Sequence, residues 1–96
     1  MIMQDLTIND LNGEWLCLIN NSPFIYLRIK QPGNYHLHFH SDNKDYFGSI
    51  ALMYTERNTV EMNLDGFSVV ELWCISSDNE IAIKINNEIL SFRRII

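Results

Sequence analysis

Short clusters of turn-forming residues punctuate this chain from end to end. They are Asn20-Asn21-Ser22-Pro23, Gln31-Pro32-Gly33-Asn34, Ser41-Asp42-Asn43-Lys44-Asp45, Thr55-Glu56-Arg57-Asn58, Asp65-Gly66, Ser77-Asp78-Asn79 and Asn86-Asn87. Pro, Gly, Asn, Asp and Ser set or tolerate the dihedrals of tight turns. Between them, residues 14–19, 24–30, 35–40, 46–54, 59–64, 67–76, 80–85 and 88–95 alternate apolar with polar or are rich in β-branched and aromatic side chains, while helical periodicity is absent over any length. Connectors this short join antiparallel neighbours and cannot carry the crossover that a parallel pair requires. The fold class expected is therefore all-β, an antiparallel up-and-down meander of about eight short strands.

The last hairpin has a register that can be read from its tip. Asn86-Asn87 and Asp65-Gly66 both suit two-residue type I′ turns, in which the central residues take positive φ. With Asn86-Asn87 at the tip, Ile85 lies opposite Glu88, Ile83 opposite Leu90 and Ile81 opposite Phe92; Lys84/Ile89, Ala82/Ser91 and Glu80/Arg93 then share the other face. Apolar meets apolar and Glu meets Arg, as cross-strand pairing favours. Ile81, Ile83, Leu90 and Phe92 are expected to face inward.

A meander of eight strands ends either as an open sheet with hazardous edges or as a closed barrel whose interior side chains about fill it. The closed barrel is favoured, and a curled half-barrel that dimerises over its edge is the alternative. At 96 residues, 47% of them hydrophobic and 20% charged, the chain matches one globular domain spanning 1–96, with 1–12 as a lead-in or lid in which Thr7, Asn9 or Asp10 caps a helical turn. The net charge of −5 offers no basic field for nucleic acid or an anionic membrane. Met1–Leu6 has no basic region leading into an apolar one, and no apolar run approaches the ~20 residues of a membrane helix. The expectation is a cytoplasmic protein in which Cys17 and Cys74 stay reduced and serve as small packing residues.

Leu11-Asn12-Gly13-Glu14-Trp15, read together with Arg93-Arg94 near the end of the chain, resembles the signature of the lipocalin-like (calycin) barrels. That resemblance implies that Gly13 and Trp15 open the first strand and that the Trp15 indole packs against Arg94 from the last. It also implies a barrel interior able to carry a small hydrophobic ligand, although this chain is considerably shorter than the carriers. The spread of short strands looks like small uncharacterised barrel proteins associated with conjugative elements of gut bacteria. The opening motif and size are also similar to the bacterial metalloprotease-inhibitor barrels, which are exported and disulfide-bonded.

His36-Leu37-His38-Phe39-His40 places three imidazoles on one strand face. Adjacent members of such a run, ~6.5–7 Å apart at Cα, can grip one metal ion, whereas the outer two are too far apart to join them without distortion. The competing reading turns Tyr35, Leu37 and Phe39 to the core and the histidines to water. A two-residue Pro32-Gly33 loop would set His36 and His38 opposite Ile29 and Leu27, and one extra residue would restore like-with-like pairing. Without a further His or Cys nearby, no metal or other cofactor is expected, and His36, His38 and His40 stand as the candidates should one bind.

Glu71 lies in the most apolar strand and marks a site if it points inward; the outward orientation is favoured, with Val70, Leu72 and Cys74 inside. Asp42, Asp45 and Asp65 fall in loops that strand counting puts at one barrel end. No nucleophile elbow, phosphate-cradling loop or metalloprotease motif is present. The function expected is a non-enzymatic binding or protein-interaction module, one that serves a mobile genetic element or inhibits a partner, with Tyr26, Tyr46, Tyr54 and Trp73 as surface anchors. A small hydrophobic-ligand carrier is the alternative and a metal-dependent site at the histidine strand the third reading; a homodimer is compatible with all three.

Overall fold

Alternation dictates which way each strand faces, and short turns dictate which strand comes next. The computed structural model describes residues 8–54, 60–77 and 79–95, with side chains 73–77 outside the description. A single helical turn, α1 (Ile8–Leu11), leads into β1 (Gly13–Ile19), β2 (Ser22–Lys30), β3 (Asn34–Phe39), β4 (Lys44–Tyr54), β5 (Val60–Leu64), β6 (Ser68–Ser77), β7 (Glu80–Ile85) and β8 (Glu88–Arg94). Each strand pairs antiparallel with its successor and β8 pairs with β1, so the meander is a closed eight-stranded barrel. The expected connector at 55–58 and the start of its following strand at Thr59 lie outside the described residues.

Alternate residues point inward and are almost wholly apolar. Trp15, Leu27, Leu37, Met62, Leu72 and Phe92, from six of the strands, are each at most 1% exposed, and no polar or charged residue is buried among the described residues. One end of the barrel is filled by a cluster of half-buried rings, Phe39, Tyr46 and Phe67, with centroids 4.8–6.0 Å apart. Tyr46 was expected at the surface; it takes the inner face of β4 because it alternates with Gly48 and the buried Ile50.

The Asn86-Asn87 hairpin has the register read from its tip, with Ile83 opposite Leu90 and Glu80 opposite Arg93, and both asparagines at positive φ (52° and 66°). Strand ends also differ from expectation, Asn34 beginning β3, Lys44 and Asp45 beginning β4 and His40 falling outside β3, and two further turns differ in how they are built. Asn20 and Asn21 alone form the first turn, at φ 53° and 64°, so Ser22 and Pro23 begin β2 instead of extending the connector. Pro is tolerated at a strand start, and a shift between Cys17 and Leu18 absorbs the extra residue. Asp65-Gly66 is not a two-residue type I′ turn. Phe67 N–H donates to the Leu64 carbonyl (2.9 Å), only Gly66 has positive φ (86°), and the ladder resumes one residue later at Ser68. That is the pattern of a type II turn, which needs Gly at its third position alone.

The barrel end where the termini meet is closed by α1. So short a helix leaves carbonyls without internal partners, and here the barrel supplies them. Trp15 Nε1 donates to the Leu11 carbonyl (2.9 Å), and the Arg94 guanidinium donates to the carbonyls of Asp10 (3.0 Å) and Asn12. Gln31 adds bonds to the side chains of Asn9 and Asn12. Leu11, 1% exposed, sits beneath as the plug, and Arg94 Cζ lies 4.2 Å from the centroid of the Trp15 ring. Arg93, the next residue along, faces outward and is exposed. Arg94→Ala is therefore expected to destabilise the barrel by about 2 kcal/mol, through loss of the stacking and of the carbonyl contacts. Arg93→Ala, opposite Glu80, is expected to cost about 0–1 kcal/mol. Urea melts of the two variants that superimpose would contradict this assignment.

Candidate functional site

Because the interior is apolar, polar chemistry gathers on the outside, and its densest arrangement lies across β2, β3 and β4. The loop before β3 contains Gln31, Pro32 and Gly33, so Lys30 pairs with Asn34 and like faces like: Ile29 opposite Tyr35 and Leu27 opposite Leu37 inside, Arg28 opposite His36 and Tyr26 opposite His38 outside. Continuing into β4, His38 lies opposite Asp45, His36 opposite Phe47 and Asn34 opposite Ser49. The outer face is thus a grid of three rungs, Tyr26/His38/Asp45, Arg28/His36/Phe47 and Lys30/Asn34/Ser49.

Asp45 organises the first two rungs. Its Oδ1 lies 2.7 Å from His36 Nε2 and 2.9 Å from His38 Nδ1, so both imidazoles direct an N–H at one carboxylate oxygen. Hydrogen bonding from His36, followed by that from His38, holds the Asp45 carboxyl below the usual range. The His36 ring then lies nearly parallel to Phe47, with centroids 4.3 Å apart and planes 11° apart, while Tyr26 meets its edge at 5.6 Å. His40 stands beyond the strand, in an edge-on contact with His38 at 4.6 Å. Phe47 is 67% exposed, the most exposed large hydrophobic side chain described.

Tyr26 hydroxyl donates to Glu14 Oε1 (2.7 Å) across the β1–β2 pair. Desolvation, then the bond to the Glu14 carboxylate, pushes its pKa up to about 12 from the usual 10. The protonated phenol is the form that folding favours. Its contribution is therefore complete below pH 10 and is lost as pH rises towards 12. Burial raises Tyr35 as well, so an alkaline titration followed by tyrosinate absorbance should show a late-ionising component, of which the Tyr26 part is brought earlier by Glu14→Gln. An unchanged profile in that variant would remove Glu14 as a cause.

A surface depression of about 460 Å³ occupies the lower two rungs, lined by Arg28, Lys30, Asn34, His36, Phe47 and Ser49 over a floor of Tyr35 and Gly48. A smaller one of about 230 Å³ lies on the other side of Arg28 and Lys30, against Asn12, Gly13 and Glu14. The two cations form a ridge between them.

The other expected site residues fall elsewhere. Gly13, Trp15 and Arg94 serve the closed end, as described above. Glu71 faces outward, half-exposed, between Glu61 and Lys84. Asp65 is not gathered with Asp42 and Asp45: its N–H bonds to the Ser49 carbonyl (3.0 Å), two rungs along β4 from Asp45, and its carbonyl accepts from Tyr35 Oη (2.7 Å). Among the described residues, no group of three or more His, Cys, Asp or Glu is arranged to hold a metal ion. Tyr54 is exposed, burial pushes the Cys17 thiol up, and the side chains of Trp73 and Cys74 lie outside the described residues. No helix among the described residues is long and apolar enough to cross a membrane.

Sequence reasoning missed Arg28, Lys30 and Phe47. The two cations were legible as the outward partners of Leu27 and Ile29. Phe47 was not, because Tyr46-Phe47 places adjacent aromatics on opposite faces and only the pairing with β3 says which is outside. Comparison with protein-family models, curated proteins and solved structures finds no significant match to this chain.

Proposed function

We propose that this chain is a small lipocalin-like barrel acting as a non-enzymatic interaction module in the cytoplasm, binding a protein partner through the outer face of β2–β4. The observation that carries this reading is the division of labour in the barrel. Its interior is filled with apolar side chains, and no polar or charged residue is buried among the described residues. Its outer face presents an exposed Phe47 braced by His36, with Tyr26, Arg28 and Lys30 around it. Aromatic and Arg side chains beside a depression are the usual anchors of protein interfaces. The stacking of Arg94 on Trp15 after Gly13 supports the lipocalin-like assignment. The resemblance to barrels of conjugative elements makes a mobile-element protein the first partner to try.

A photo-cross-linking amino acid at Phe47 tests this in cells. A discrete adduct is expected from position 47 and not from Ile89, an exposed apolar residue on β8. Equal products from both positions, or none from 47, would overturn the proposal. The second reading, a carrier of a small hydrophobic ligand, draws on the apolar interior, but it requires fully buried side chains such as Met62 and Phe92 to move aside. Native mass spectrometry of freshly purified protein distinguishes it through a retained small molecule. Metal-dependent activity at His36 and His38 would require an ion to displace the N–H protons that both direct at Asp45.

A further inference from the structure

We infer that the partner surface recognised by this face is acidic: an extended protein segment with carboxylates two residues apart, seated on Arg28 and Lys30, and an apolar neighbour covered by Phe47. This rests on the preceding assignment of the β2–β4 face as the binding surface.

Charge accounting is the first argument. The chain carries 12 Asp and Glu against 7 Lys and Arg, yet the larger depression is lined by two cations and no carboxylate. Of the acids nearest to it, Asp45 bonds to His36 and His38, and Glu14, opposite Arg28 across the β1–β2 pair, bonds to the Tyr26 hydroxyl; both keep their charge but are turned to those donors. No ion pair joins Arg28 or Lys30 to a carboxylate among the described residues. The smaller depression contains Glu14, so an incoming carboxylate is favoured on the β3–β4 side of the ridge.

Spacing is the second. Arg28 and Lys30 alternate outward from one strand, which sets their Cα atoms ~6.5–7 Å apart, the same repeat as residues i and i+2 of an extended peptide. Asn34 and Ser49, on the Lys30 rung, supply further hydrogen-bonding groups beside that path. Phe47 gives the apolar wall, held in place by its stack on a histidine that Asp45 fixes in turn. A phosphate backbone is the other anion to weigh; the net charge of −5 opposes any anion at long range, and a polymer with a charge on every nucleotide far more than a segment with two carboxylates.

The test is a titration of isotopically labelled full-length protein with the capped peptide Phe-Glu-Ser-Glu-Phe, followed through backbone amide shifts. Shifts confined to β2–β4 are expected, with affinity about tenfold lower for the Phe-Gln-Ser-Gln-Phe peptide and for an Arg28→Gln/Lys30→Gln variant, and weakening in high salt. Both positions are exposed, and the variant's dispersed spectrum serves as its folding control. Equal binding of the two peptides at this face would overturn the acidic inference while leaving the face as a binding surface. Shifts elsewhere, or none, would overturn it too, and the cross-link from position 47 would then judge the face independently. Binding of oligo-dT as tight as that of the acidic peptide would replace a protein segment with a generic anion.

Discussion

Trp15→Ala is expected to destabilise the barrel by ~3–5 kcal/mol, a large share of the ~5–15 kcal/mol available to a domain of this kind. Three losses coincide at this residue. The indole is 1% exposed, so its removal leaves a cavity under α1 that only partial collapse can fill. Its Nε1–H is the partner of the Leu11 carbonyl, which would be left without a donor next to a plugging residue that is itself 1% exposed. Its ring is the platform for Arg94, whose guanidinium ties the carbonyls of Asp10 and Asn12 to the last strand. Trp15→Phe separates these contributions, since it keeps most of the apolar volume and deletes the donor; about 1–2 kcal/mol is expected for it. Denaturant midpoints measured by far-ultraviolet circular dichroism give the ordering. A Trp15→Ala protein as stable as the parent would remove the closed end as the anchor of the barrel.

Gly48→Ala is expected to cost ~1–3 kcal/mol although it adds a single methyl group. Gly48 lies between Tyr46 and Ile50 on the inner side of β4, where the β5–β6 turn folds against it. A Cβ at this position would run into the Asp65 carbonyl oxygen and come within 3.2 Å of the Tyr35 ring. Neither obstacle yields readily. The Asp65 peptide is held on one side by its N–H bond to the Ser49 carbonyl and on the other by the Tyr35 hydroxyl. The backbone of β4 or the turn must shift, and Phe47 and the depression would shift with it. The thermal midpoint is expected to fall by roughly 4–8 °C per kcal/mol for a domain of this size. Tyr35→Phe, which removes one hydrogen bond and no volume, should cost about 1 kcal/mol. A Gly48→Ala melt matching the parent would mean that the turn is not packed against β4.

Much of this protein follows from local sequence. Strands alternate because a pleat sends successive side chains to opposite faces, so Leu27 and Ile29 could be read as core and Arg28 and Lys30 as surface without a fold. Turns follow from residues that accept positive φ, which is why the Asn86-Asn87 hairpin was legible rung by rung. Short connectors then forced a meander, because a parallel neighbour needs a longer crossover.

Where two residues compete for a face, or where one turn residue more or less inverts it, local rules fall silent. The length of the Gln31–Gly33 loop determined that the histidines face outward, and the type II turn at Asp65-Gly66 broke a rule that its dipeptide satisfies. Tertiary structure alone could seat Tyr46 inside and Phe47 outside. It also brought Asp45 under two imidazoles from the neighbouring strand and joined Arg94 to carbonyls more than eighty residues away. The physical reason is common to all three. A strand's own alternation says which side chains share a face, but which face turns inward and what each side chain meets are set by how strands are staggered against one another, and that stagger is a property of the closed barrel as a whole.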